Sequence, residues 1–173
     1  MRVNQDEENK LKRQGYEYVI GLEPVIFKGV KTLILGSLPG KQSLESKEYY
    51  AKKGNKFWPL LEDIFQCGKL KTYEEKKALL KQHNIALWDI YHNGYRKGSK
   101  DDFKYTTTND IVSLLKQYPT IQQIAVAGKN AQKCFFSEFN FSNTNVKIKC
   151  VTSTSGGNGH FKKQKHTWYE LFK

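Results

Sequence analysis

The chain has 173 residues, 38% of them apolar and 27% charged, which suits one globular domain with a sizeable core and excludes a disordered or fibrous chain. Its formal charge of +12, from 29 Lys and Arg against 17 Asp and Glu, points to a polyanion such as nucleic acid, or to a lysine-rich proteome. Three cysteines without a CxxC pair, Cys67, Cys134 and Cys150, argue against a disulfide framework or a zinc site and fit a reducing cytoplasm. The charged N-terminus does not resemble a signal peptide, and no apolar run is long enough to span a bilayer.

In chain order, residues 1–15 read as a polar lead-in and 16–173 as a single domain. Residues 16–27 mix Gly and Pro with short apolar runs and read as a segment crossing the domain without long regular structure. Residues 30–38 read as the first strand, because the apolar run Leu33-Ile34-Leu35 is too short for a helix and suits a strand buried on both faces. It ends in Gly36-Ser37-Leu38-Pro39-Gly40, whose glycines and proline stop the sheet and bring bare backbone close to what lies beyond. Ser43 can cap a helix. Near Asn55 another helix begins, with Phe57, Leu60, Leu61, Ile64 and Phe65 at helical spacing. Thr72 and Glu75 form a capping box for a third, faced by Ala78, Leu79 and Leu80.

Residues 85–90 read as the second strand and 91–105 as a polar loop. Thr108-Asn109-Asp110 starts a helix faced by Ile111, Leu114 and Leu115, which stops before Pro119. A third strand, 121–127, turns through Gly128-Lys129-Asn130 into a helix at 131–139. A fourth strand, 146–151, leads to a small-residue loop at 152–160 and a last helix at 161–172. This alternation predicts an α/β fold: a three-layer α/β/α sandwich around a four-stranded parallel sheet.

Gly36 to Lys41 invites comparison with a phosphate-binding loop. That motif needs four residues between its first Gly and the Gly-Lys; here there are three, and Gln42 stands where the magnesium-binding hydroxyl belongs. A nucleotide hydrolase is therefore disfavoured. Downstream, Asn55-Lys56-Phe57-Trp58 supplies an amide and two large rings, which can equally be a helix cap and core residues. The loop Thr152-Ser153-Thr154-Ser155-Gly156-Gly157-Asn158-Gly159-His160 follows the last strand. Two polar loops at carboxyl ends of parallel strands would face a common cleft.

GSLPG, a gap containing Tyr49-Tyr50, and then NKFW is similar to the first motif region of the uracil-DNA glycosylase superfamily. It most resembles the hypoxanthine-DNA (deoxyinosine) glycosylase branch, and next the mismatch-specific uracil/thymine glycosylases. IALWDIYHNGYRKGSKD resembles the branch's second block, with Arg96, Gly98-Ser99 and Asp101 at its Arg, Gly-Ser and Asp. Ser153-Thr154-Ser155 with Asn158 resembles its last motif. The resemblance runs from about Gly21 to the C-terminus, with the motifs in order.

It implies a monofunctional enzyme of base-excision repair that hydrolyses the N-glycosidic bond of hypoxanthine, or of uracil in mismatches, and leaves an abasic site. Its partner would be DNA carrying a damaged base. It implies neither metal nor cofactor, no membrane, and a monomer. The mismatch-specific branch carries its catalytic Asn where Leu38 stands, so by resemblance that duty passes to Asn55. Gly36, Ser37, Leu38, Pro39, Tyr49, Tyr50, Phe57 and Asn158 would line the base pocket. Ser43, Arg96, Ser99, Ser153, Thr154, Ser155, His160, Lys162 and Lys163 would contact DNA. Thr152 and Gly156 replace the branch's usual prolines, which implies a more mobile last loop. The competing reading is a non-catalytic nucleic-acid-binding module on the same fold.

Overall fold

The computed structural model describes residues 3–98, 102–141 and 145–173. Its centre is β2 (Thr32–Gly36), flanked by β3 (Ile85–Asp89) and β6 (Gln123–Ala127), with β7 (Lys147–Val151) at the far edge. All pairings in this sheet are parallel, with Gly36 opposite Asp89 and Leu35 opposite Val126. The four-stranded sheet is the one expected; β3, β6 and β7 are one or two residues shorter than the runs that contain them, and β2 is four shorter.

Because side chains alternate along a strand, β2 serves two cores. Ile34 joins Leu87, Ala125 and Val151 on one face. They pack against Phe57, Trp58, Leu60 and Leu61 of α3 (Phe57–Ile64), Leu79 and Leu80 of α4 (Tyr73–Gln82), and Trp168 of α8 (His166–Tyr169). Leu33 and Leu35 join Ala86, Ile124 and Val126 on the other. There they meet Ile111 and Leu114 of α5 (Ile111–Gln117) and Ala131, Cys134 and Phe135 of α6 (Lys129–Glu138). Each fully buried aliphatic side chain contributes about 1.5–3 kcal/mol, so a strand feeding both cores holds the three layers together. The capping box at Thr72 and Glu75 forms as expected.

The lead-in contains α1 (Gln5–Arg13), capped by Asn4, with Leu11 buried against Tyr16 and Tyr95. Four expectations are corrected. Residues 16–20 form β1 (Tyr16–Ile20), and the expected polar loop after β3 is a hairpin of β4 (Tyr91–Lys97) and β5 (Phe103–Thr108). These strands make a separate antiparallel sheet in the order β1-β4-β5. It lies outside the two main cores, so its strands need no apolar runs; pairing and Gly94, where a Cβ would come within 2.7 Å of Thr106, define it instead. The last helix is split into α7 (Phe161–Gln164) and α8, with the Thr167 hydroxyl donating to the Gln164 carbonyl at the break. Finally, Ser43 is no cap: α2 (Lys41–Ser46) starts after Gly40, and Ser43 lies within it.

Among the described residues, no helix is long and apolar enough to cross a membrane. None of their His, Cys, Asp and Glu side chains cluster in threes that could hold a metal ion.

Candidate active site

A parallel sheet delivers all its strand ends to one edge, and the loops leaving that edge make the site. At the end of β2, the Gly36 and Ser37 carbonyls accept from the Ile90 and Tyr91 amides at 2.9 and 3.0 Å. This ties the Gly36–Gly40 turn to the start of β4. Gly36 has no alternative there: an added Cβ would lie 2.5 Å from Asp89 Oδ1. Leu38 and Pro39 are buried in this turn, and Arg96 donates to the Pro39 carbonyl.

After α2 the chain reaches two tyrosines with different tasks. Tyr49 is buried, its amide donating to the Tyr73 hydroxyl and its own hydroxyl to the Leu22 and Glu23 carbonyls. It lines a groove of about 1180 Å³ between β1 and α4. Tyr50, half-buried and at φ 57°, stacks on Phe57 with centroids 3.8 Å apart and planes 18° apart. Phe57 itself is fully buried. Of the expected aromatic lining, Tyr50 therefore covers Phe57.

Asn55 follows a tight turn in which its amide donates to the Lys52 carbonyl at 2.9 Å. Its Oδ1 accepts from the Phe57 amide at 2.9 Å, on the first turn of α3. That bond fixes the plane of the side-chain amide. Oδ1 keeps a second lone pair, and no acceptor among the described residues engages Nδ2.

The last loop meets this one directly. The Lys56 amide donates to the Thr154 carbonyl at 2.9 Å, and an added Cβ on Gly156 would sit 2.9 Å from the Gly54 carbonyl oxygen. The loop's own frame is built by side chains. Asn158 Nδ2 donates to Thr152 Oγ1 and the Ser153 carbonyl, and its Oδ1 accepts from the His160 amide. Trp168 Nε1 donates to the Thr152 carbonyl. Ser155, His160, Lys162 and Lys163 face solvent, Ser153 is half-exposed, and Lys56 Nζ lies 5.2 Å from the centre of the Phe161 ring.

The structure thus brings the Asn55 backbone against the Ser153–Asn158 loop, while the Gly36–Gly40 turn is tied to the end of β3 and to β4. It withdraws three of the expected DNA contacts. Ser43 is 5% exposed and accepts from the Ala51 amide, Thr154 is 3% exposed, and Arg96 is 8% exposed with its guanidinium over the Phe103 ring. A side chain so enclosed and engaged holds loops in place; it does not lie on a phosphate. Ser99 and Asp101 lie outside the described residues.

Two further residues at this edge were not among the expected site residues. Asn109, read as part of a helix start, is buried and donates to the Asp89 and Tyr91 carbonyls, clamping the exit of β3. Asp89 is buried at the end of that strand, and burial raises its carboxyl to about 7 while Arg96 pulls it down. The available signal was positional: a charged residue closing an apolar strand run, in register with the first Gly of the turn.

Residues 25–172 match the family model described as the Uracil DNA glycosylase superfamily. The chain is 31% identical over 156 residues to a hypoxanthine DNA glycosylase from Methanosarcina acetivorans, covering 88% of this chain and 97% of that one. It is 32% identical over 166 residues to a hypoxanthine DNA glycosylase from Methanosarcina barkeri, covering 94% and 99%. The solution structure of a uracil DNA glycosylase candidate from Methanosarcina acetivorans superposes with a TM-score of 0.79 at 30% identity, over 90% of this chain and 97% of that chain.

Proposed function

Since the chain belongs to the uracil DNA glycosylase superfamily and groups with its hypoxanthine-DNA glycosylase branch, we propose that it is a monofunctional DNA glycosylase. It hydrolyses the N-glycosidic bond of hypoxanthine in DNA and leaves an intact abasic site. Uracil in mismatches is a secondary substrate.

Asn55 carries this reading: an amide pinned by the Phe57 N–H, with Nδ2 unengaged among the described residues, where the loops after β2 and β7 meet. The reaction passes through an oxocarbenium-like sugar, so help consists of holding a water at C1′ and stabilising charge on the departing base. Oδ1 can accept a proton of that water through its second lone pair, and Nδ2 can donate to the base. The base must first leave the helical stack, and the half-buried Tyr50, backed by the buried Phe57, is the aromatic ring that could receive it. The exposed Ser155, His160, Lys162 and Lys163 suit contact with the phosphates of the everted strand.

The test is release of free base from duplexes carrying hypoxanthine, uracil or xanthine. Asn55→Ala should lower the rate about 100-fold or more, the scale seen when one hydrogen-bonding group that serves the transition state is removed. Equal activity of variant and wild type would remove Asn55 from the mechanism. Strand breaks that appear without alkali would contradict the monofunctional reading.

A further inference from the structure

Among the described residues β1 has a strand neighbour on one side only, because the antiparallel sheet runs β1-β4-β5. In an antiparallel pair each residue directs its N–H and C=O to the same side, and successive residues alternate. The Gly21 amide donates to the His92 carbonyl at 2.7 Å. Val19, opposite Gly94, therefore also turns toward β4, and Tyr18 and Ile20 turn their backbone groups to the outer edge. Their side chains are 48% and 56% exposed. Natural edges are blunted by charges, prolines or bulges, yet Tyr18-Val19-Ile20 has none of these and keeps an unbroken register with β4.

This edge borders the groove of about 1180 Å³, whose lining also includes Lys47 at the end of α2 and Lys77 and Lys81 of α4. Lys77 is paired with Glu74 at 2.6 Å. Lys47 and Lys81 are exposed and make no salt bridge among the described residues, which leaves Glu23 as the other acidic group on the lining. The groove is therefore apolar along the strand and net positive at its rim. A second copy of the chain is a poor fit, since each copy would present a concave edge to the other.

We propose that the groove beside β1 docks an extended segment of another protein, which adds to β1 as a further strand and alternates apolar with acidic side chains. Backbone pairing at Tyr18 and Ile20 supplies the affinity, as in strand addition to other open edges. Tyr18, Ile20 and the groove wall cover the apolar side chains, and Lys47 and Lys81 select the acidic ones. Matching the five residues of β1 takes a segment about 17 Å long. The inference stands apart from the glycosylase reading.

An acetylated peptide alternating valine and glutamate over about eight residues, added at millimolar concentration to the isotope-labelled full chain, tests this by NMR. The Tyr18 and Ile20 amides should shift, and their exchange with solvent should slow about tenfold or more as they become paired. The same peptide with lysine for glutamate should bind about tenfold more weakly. So should the glutamate peptide to the Lys47→Glu, Lys81→Glu double variant, because two surface ion pairs become repulsions. Ile20→Pro removes an outward amide and none from the β4 ladder, and should abolish the slowed exchange at Tyr18. Unchanged amides at Tyr18 and Ile20, or equal binding of the two peptides, would overturn the proposal. Protection of these amides that rises with protein concentration in the absence of peptide would also overturn it, by giving the edge to a second copy.

Discussion

Asp89 illustrates how one residue is governed by what encloses it. In water its carboxyl would ionise near 3.8; burial raises that to about 7. A carboxyl raised in the folded state favours folding while it is protonated in both states. That contribution is complete below about pH 4 and is lost as the pH climbs toward 7. The difference in unfolding free energy between Asp89→Asn and wild type should therefore shift in favour of the variant from pH 4 to pH 7 and level off above it. Urea denaturation of both proteins at several pH values measures this, and a pH-independent difference would mean that Asp89 ionises normally. Asn55 was legible in the sequence because an amide ahead of two rings matches a motif. Asp89 was not, since nothing in LWDI says that the aspartate will face a glycine at the end of the preceding strand.

At the scale of elements, the site depends on two loops approaching at the backbone. Gly156 passes the Gly54 carbonyl with no room for a methyl group, and the Lys56 amide meets the Thr154 carbonyl alongside. Gly156→Ala should push these loops apart, at a stability cost of about 1–3 kcal/mol for the overpacked contact. Amide exchange at Lys56 should quicken and base release should fall about tenfold or more, since misplacement by an ångström is enough for such losses. Unchanged exchange at Lys56 would show that the loops are not coupled there. The last loop, for which the missing prolines imply greater mobility, carries hydrogen bonds from Asn158 to Thr152 and the Ser153 carbonyl and from Trp168 to the Thr152 carbonyl. Helices with apolar faces, such as α3 and α4, were readable from periodicity. The β1-β4-β5 sheet was not, because its strands lie outside the main cores and carry at most a short apolar run, as in β1.

At the scale of the molecule, the surplus of 12 positive charges acts through where it is exposed. Lys162 and Lys163 on α7 face solvent beside the last loop, and no acidic group among the described residues pairs with either. If they meet phosphates, binding to duplex DNA must weaken steeply with salt. Replacing each with Ala should lower the slope of log affinity against log salt by about 0.9 for every phosphate that is no longer neutralised. An unchanged slope would place the DNA on another face.

The order and type of the principal elements, the parallel sheet and the identity of the polar loops at its carboxyl edge were determined by the sequence itself. Those features follow from local signals: apolar runs, helical spacing, capping residues and the glycine turns between them. Which residues are buried, which loops touch and which polar groups are left without a partner among the described residues were decided only by the tertiary structure. Ser43, Thr154 and Arg96 look like surface contacts in a linear chain, yet the fold encloses them. Asp89 looks like a strand terminus, yet the fold holds it against Gly36. Burial and pairing between distant segments are properties of packed surfaces, and no short window of sequence contains both sides of such a contact.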